Sequence, residues 1–384
     1  MPEAYIVEAL RVAGGRKNGA LSGWHPADLA AEVLNALIDR TGIDPVAVED
    51  VIMGCVNAFG DQSGQIGRSA ILASKLPACV PAVTVDRQCG SSQQALQFAA
   101  QAVMSGTQDM VIASGVESMS RVPMGSTRGG GSGSFTSRIR ARFGVEDFSQ
   151  FAGAQMIADK YGMNRDQLDA FALQSHERAA AATRSGAFQR EIVPVEIQGQ
   201  GGSQLHTRDE GIRHDASKES IAAVKLLRDG GTLTAATASQ ICDGASGLLV
   251  ANGRALTTHN LTPLARIHNL TVTAGDPVIM LEEPITATQR ALKRAAMRIE
   301  DIDLYEVNEA FASVPLAWLQ VIGADPAKLN VNGGAIALGH PLGASGAKLM
   351  ATLIHALRAR RKRYGLQTMC EGGGIANVTI IEAL

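Results

Sequence analysis

Four residues of this chain have types and settings suited to nucleophilic and acid–base chemistry: Cys89, Asn308, His340 and Cys370. Residues 84–96 read Thr-Val-Asp-Arg-Gln-Cys-Gly-Ser-Ser-Gln-Gln-Ala-Leu. A β-branched strand ends at Val85, a polar turn carries Cys89, and Gly90, Ser91 and Ser92 open a helix running to about Met104. The unpaired N–H groups at such a helix start favour negative charge. A free thiol titrates at about pH 8.5, and this setting can lower that into the physiological range. Cys89 is therefore expected to be a nucleophilic thiolate; the competing reading is a buried, inert cysteine. His340 lies in the glycine-rich run Asn332–Gly346, where backbone can approach a ligand closely and an imidazole can act as a base near neutral pH. A structural loop histidine is the alternative. Cys370 is expected at a strand end, with three glycines following Glu371, whose N–H groups could form an anion nest; the alternative is a core cysteine in a buried strand. Asn308 sits in Val307-Asn-Glu-Ala-Phe-Ala312.

The elements that must position these groups alternate between strand-like and helix-like patterns, which predicts an α/β fold with buried sheets. Strands are expected from Tyr5, over Val48–Val56 and over Asp109–Ser114, and a short helix over Ser69–Leu76. Pro26–Arg40 has helical spacing in Leu29, Val33, Leu34 and Leu37. The C-terminal part repeats the plan. Val48–Asn57 lines up with Ile299–Asn308, Gly90-Ser-Ser with Gly343-Ala-Ser, and Met110–Gly115 with Thr368–Gly373, with a spacing that drifts slowly as loop insertions would make it. Two similar halves follow, residues 1–116 continued by 241–263, and residues 264–384, with an insert over 117–240. The insert opens with a glycine-rich flexible stretch, Gly125–Ser134, and a basic patch of Arg138, Arg140 and Arg142. It continues with helix over Gln150–Gly186, Asn164 as a cap, and loop plus helix over Asp209–Leu227. If the halves pack by approximate two-fold symmetry, Cys89, Asn308, His340 and Cys370 all fall at strand ends or in the loops that follow, on one face, where open α/β sheets bind ligands.

Composition narrows the class. Lys plus Arg is 35 against Asp plus Glu 37, a balance that gives no footprint for nucleic acid or a membrane surface. Five cysteines, widely spaced and without a CxxC pair, argue against a disulfide frame or a structural zinc site. The N-terminal run shows no basic region followed by an apolar one, and no stretch approaches the roughly 20 apolar residues of a membrane span. A cytoplasmic location is expected.

Together, Arg87–Ala95, Val307–Ala312, Asn332–Gly346 and Met369–Gly374 resemble the signature set of the thiolases, over nearly the whole chain. The resemblance implies the thiolase fold: two βαβαβαββ halves in five αβαβα layers, an inserted loop domain, and a homodimer or homotetramer. It implies Cys89 as the nucleophile that takes an acyl group from a CoA thioester and His340 as the base that activates it. Cys370 would be the second acid/base. Asn308 would hold a water that completes, with His340, one oxyanion hole; the N–H groups of Cys89 and Gly372 would make the other. Acyl-CoA and CoA are the implied partners, CoA serving as co-substrate with no bound cofactor and no metal. Ser239 matches a serine that contacts pantetheine, and Arg213 a region near the nucleotide end, where an arginine suits phosphate. For both, an exposed side chain without a ligand is the alternative.

Several positions depart from the acetoacetyl-CoA-forming branch. Gln150-Phe151 stands where Met-Gly lines the acyl pocket of that branch, which makes Gln150 an acyl-pocket candidate. Thr237, Leu281–Pro284, Gln88 and Ser92 also differ. The stretches around Cys89 and Cys370 are most similar to degradative bacterial 3-ketoacyl-CoA thiolases, including those of steroid catabolism. Thiolytic cleavage is the expected activity. Condensation of two acetyl-CoA molecules, or non-catalytic acyl-CoA binding, are the alternatives.

Overall fold

The computed structural model describes residues 3–129, 133–199 and 202–384. The first half runs β1 Ala4–Val12, β2 Gly15–Arg16, α1 Pro26–Thr41, β3 Asp50–Gly54, α2 Ile66–Ala73, β4 Ala82–Val85, α3 Ser91–Ser105 and β5 Met110–Ser118. The intervening segment carries α4 Ser137–Phe143, α5 Gln150–Lys160, α6 Arg165–Arg184, the short strands β6 Ile192–Val193, β7 Val195–Gly199 and β8 Gly202–His206, and α7 Lys218–Ala222. The chain then returns through β9 Cys242–Asn252 and α8 Gly253–Thr258. The second half runs β10 Ala265–Ala274, α9 Pro284–Ala295, β11 Leu304–Val307, α10 Ser313–Ile322, α11 Ala335–Leu338, α12 Ser345–Ala359, β12 Tyr364–Glu371 and β13 Ile375–Ala383.

Three apolar cores define the layers. One packs α1 and α2 on the outer face of the β1, β3, β5 and β9 strands. A second surrounds α3 and α12, which lie between the halves and are buried along most of their length. The third holds α9 and α10, with α5 and α6, against the strands of the second half. This is the αβαβα arrangement of the thiolase fold. The strand order β11-β12-β13-β10-β1-β9-β5-β3-β4 shows that the two sheets are joined edge to edge where β1 meets β10. Within each half the parallel registers match: Asp50 faces Val111, and Leu304 faces Gly365. The third strand of the second half is reduced to a single bridge between Tyr305 and Leu329.

The structure corrects the drifting repeat. The pairs Asp50 and Leu304, Ser91 and Ser345, and Met110 and Tyr364 start equivalent elements at one constant spacing. Chemical likeness of short motifs drew Asn57 toward Asn308 and Gly115 toward Gly373; strand register pairs Glu117 with Glu371 instead. The strand expected over Val48–Val56 is confined to Asp50–Gly54, and the helix expected over Ser69–Leu76 begins at Ile66 and ends at Ala73. The long helix expected over Gln150–Gly186 is two helices. Asn164 caps the second through a capping box with Gln167, and Gly162 ahead of it takes a positive φ of 64° that breaks the helix. Of the glycine-rich stretch, Gly130, Gly131 and Ser132 lie outside the described residues. No described helix is long and apolar enough to cross a membrane.

Candidate active site

Cys89 stands in the turn between β4 and α3. Gln88 ahead of it adopts φ 49°, a left-handed conformation uncommon outside glycine. The Asp86 carboxylate holds that turn by accepting the Gln88 N–H at 2.7 Å. The turn closes with Ser91 Oγ donating to Gln88 O at 2.6 Å and accepting the Arg87 N–H at 2.9 Å. Enclosed by protein atoms on its inner side, Cys89 is half-buried and opens onto a cavity of about 860 Å³. Gly372, Leu342 and Gln150 line the same cavity. Among the described residues, neither the Cys89 nor the Gly372 N–H donates to a backbone carbonyl.

His340 is buried just before α12. The Ser345 hydroxyl donates to Pro341 O at 2.9 Å, so its oxygen accepts from His340 Nδ1–H at 2.5 Å. The proton therefore sits on Nδ1, and Nε2 keeps its lone pair; Asn308 Nδ2 donates to it at 3.4 Å. Asn308 Oδ1 is buried without a protein partner among the described residues. Two glutamates fix the surrounding loops. Glu117 accepts the N–H groups of Val56, Asn57 and Gly343 at 2.9–3.0 Å. Glu309 accepts from Ser175 Oγ, Asn330 Nδ2 and the Ile336 N–H. Lys348, fully buried, donates to Leu338 O at 2.5 Å and Gly339 O at 3.0 Å, the carbonyls just before His340. The start of α12 packs on the start of α3, with the Ala347 N–H donating to Ser92 Oγ at 2.9 Å. Cys370, at the end of β12, is buried and lies within the electrostatic reach of Cys89.

Burial dominates the electrostatics. It pushes the Cys89 thiol up to about 12, the Glu371 carboxyl adding to the shift only once it is itself ionised. This reverses the lowering expected from the helix start: desolvation and nearby carboxyls outweigh the field of α3. Burial also drives His340 down to about 3, helped by the Lys348 charge, and raises Cys370 well above the usual thiol range. The resting pair is a thiol and a neutral imidazole. Because the thiolate fraction grows tenfold per pH unit below the thiol pKa, alkylation of Cys89 by iodoacetamide should rise about tenfold per unit from pH 7 to 9 without levelling. A plateau near pH 7, read by peptide mass, would contradict this.

Ser239 and Arg213 do not line the cavity. Ser239 is half-buried, its N–H donating to Ala310 O at 2.9 Å just beyond Asn308. Arg213 is exposed, and its N–H donates to His176 Nδ1 at 3.2 Å. The sequence reading missed Ser345, Glu117, Lys348 and Glu371. Only Glu371, set between a candidate thiol and a candidate oxyanion glycine, carried a local signal.

Residues 4–254 match the family model of the thiolase N-terminal domain, and residues 261–383 that of the thiolase C-terminal domain. The chain belongs to the thiolase family and is an acyltransferase. It is 53% identical over 391 residues to the steroid 3-ketoacyl-CoA thiolase FadA6 of Mycobacterium tuberculosis, covering 100% of this chain and 95% of that protein. It is 41% identical to the beta-ketoadipyl-CoA thiolase of Pseudomonas aeruginosa, covering 99% of each. The human mitochondrial 3-ketoacyl-CoA thiolase superposes with a TM-score of 0.90 at 34% identity, covering 100% of this chain and 99% of that one.

Proposed function

We propose that the enzyme cleaves a 3-ketoacyl-CoA with CoA, through an acyl group carried on Cys89. The reading rests on one juxtaposition. Cys89 and Gly372 share a cavity wall, and His340, buried in the loop that leads to the helix packed behind them, pairs with Asn308 at the end of β11.

In this reading Cys89 Sγ attacks the C3 carbonyl while its proton passes to His340 Nε2. The oxyanion is met by the Cys89 and Gly372 N–H groups. As it collapses, the C2–C3 bond breaks and the electron pair moves to C2. The resulting enolate oxygen faces His340 and the Asn308 amide, whose unpartnered Oδ1 suits a bound water. Cys370 gives its proton to C2 and acetyl-CoA leaves. The CoA thiol then attacks the acyl-Cys89, its proton going to the Cys370 sulfur. Cys89 departs as thiolate and recovers its proton from His340. Two thiols suit this cycle because sulfur is a strong nucleophile with an adjustable pKa. Ser239 is assigned to the pantetheine arm of CoA and Arg213 to a phosphate near its nucleotide end.

The cavity wall supports a bulky apolar acyl group. Phe135, Phe143, Phe148, Phe151 and Met280 line it, with Gln150 at 3.8 Å from Met124 Sδ. Its volume, about 860 Å³, lies toward the upper end of ligand pockets and far exceeds what an acetyl group fills. Bulky apolar 3-ketoacyl groups, ring-bearing ones included, are the assigned class, in keeping with the steroid thiolase relative. In a panel read by acetyl-CoA release, kcat/KM for such substrates should exceed that for acetoacetyl-CoA by roughly tenfold or more, since each buried methylene contributes about 0.8 kcal/mol. A preference for acetoacetyl-CoA would favour the condensing enzyme instead.

A further inference from the structure

The duplication places Glu117 and Glu371 at equivalent ends of β5 and β12, each reaching the start of the other half's central helix, at Gly343 and at Gly90. Their surroundings have diverged. Glu117 is satisfied by backbone N–H groups and by Gln62 Nε2 at 2.9 Å. Glu371 is fully buried, and neither carboxyl oxygen has a hydrogen-bond partner among the described residues. The Asn377 N–H of β13 turns toward it without reaching hydrogen-bond geometry.

The Glu371 carboxyl packs on the backbone of Gly90; a Cβ there would fall 1.9 Å from Oε1 and 2.6 Å from Cδ. The opposite contact is its mirror. A Cβ on Gly372 would fall 2.9 Å from Gln88 Oε1. Two side chains thus rest on two glycines, Glu371 on the residue after Cys89 and Gln88 on the residue after Glu371. The Cys89 and Gly372 N–H groups lie within this interlock.

We propose that Glu371 is a positioning residue, which with Gln88 sets the separation of the Cys89 and Gly372 N–H groups and does so as an uncharged carboxylic acid. The proposal rests on the reading of those two groups as oxyanion donors. An ionised carboxylate without a donor would be costly at this depth. It would also oppose the oxyanion and the departing Cys89 thiolate. The charged and titratable groups acting on it are Asp86, Arg87, Cys89 and Cys370; Arg87 favours ionisation, Asp86 opposes it, and burial prevails.

The test compares the wild type with E371Q and E371A. Glutamine keeps the shape without a titratable proton, so E371Q should hold kcat within about twofold. E371A removes the brace and should lower kcat on the order of 10²-fold, the scale of a small misplacement of a reacting group, with little change in KM. The wild type at neutral pH should show the infrared carbonyl band of a protonated carboxyl, absent in E371Q. E371Q falling as far as E371A, an unchanged kcat in E371A, or no protonated band in the wild type would each overturn the proposal. Should E371A fail to fold, E371Q and the band still decide. Failure of the underlying reading shows differently, as a wild type that forms no acyl adduct on Cys89.

Discussion

Replacing Cys89 with serine is expected to lower kcat on the order of 10⁴–10⁶-fold while leaving folding and KM nearly unchanged. The size follows from the site. His340 Nε2 carries the lone pair and the proton sits on Nδ1, the form that the proposed proton transfer from Cys89 requires. With His340 driven down to about 3 and the Cys89 thiol up to about 12, that transfer is uphill even for sulfur, and further uphill for an aliphatic hydroxyl, whose anion is less stable and less polarisable. Serine would also leave less readily when the CoA thiol attacks. The substitution is sterically mild and the position opens onto the cavity, so the unfolding midpoint should not move. Steady-state thiolysis beside a denaturation curve checks both halves; activity within tenfold of the wild type would remove Cys89 from the chemistry.

Replacing Arg11 with methionine should cost about 3–5 kcal/mol of stability, the scale for breaking a fully buried ion pair from one side. The Arg11 guanidinium is entirely enclosed. It donates to Glu191 Oε1 at 2.5 Å, grips both Asp209 oxygens at 2.7 and 3.1 Å, and stacks 4.9 Å from the centre of the Phe188 ring. Burial alone would raise Asp209; the Arg11 charge, with Lys348 behind it, overcomes this and holds Asp209 below the usual carboxylate range. Methionine fills the volume but strands two carboxylates, one of which anchors the Gly14 N–H and the other Thr352 of α12. Urea denaturation should show the loss. R11K should recover only part of it, because an ammonium cannot make the forked contact. A loss below 1 kcal/mol in R11M would mean that the cluster is not the structural tie its geometry indicates.

The readable parts of the chain are those whose cause is local. The start of α3 follows from Gly90 and the serines after it, and the start of α6 from Asn164, because caps act within a few residues. The two-half plan was legible in its order, whereas its spacing was not: short motifs align by chemical likeness, and only hydrogen-bonded register shows that Glu117 corresponds to Glu371. The candidate residues were legible as types at strand ends or in the loops that follow, His340 lying in the loop between α11 and α12. Their charge state was not, since the upward shift of Cys89 comes chiefly from burial by segments hundreds of residues away in sequence. Ser345, which sets the tautomer of His340, was hidden in an unremarkable helix start.

The acyl group carried on Cys89 can be read directly by mass spectrometry. The wild type is mixed with a bulky 3-ketoacyl-CoA in the absence of free CoA, quenched in acid and digested. One equivalent of acetyl-CoA should be released in a burst, and the Cys89 peptide should be heavier by the acyl fragment shortened by two carbons. Added CoA should then discharge the peptide to the shortened acyl-CoA. A burst with the adduct on another cysteine, or turnover with no adduct on Cys89, would contradict the acyl-Cys89 intermediate.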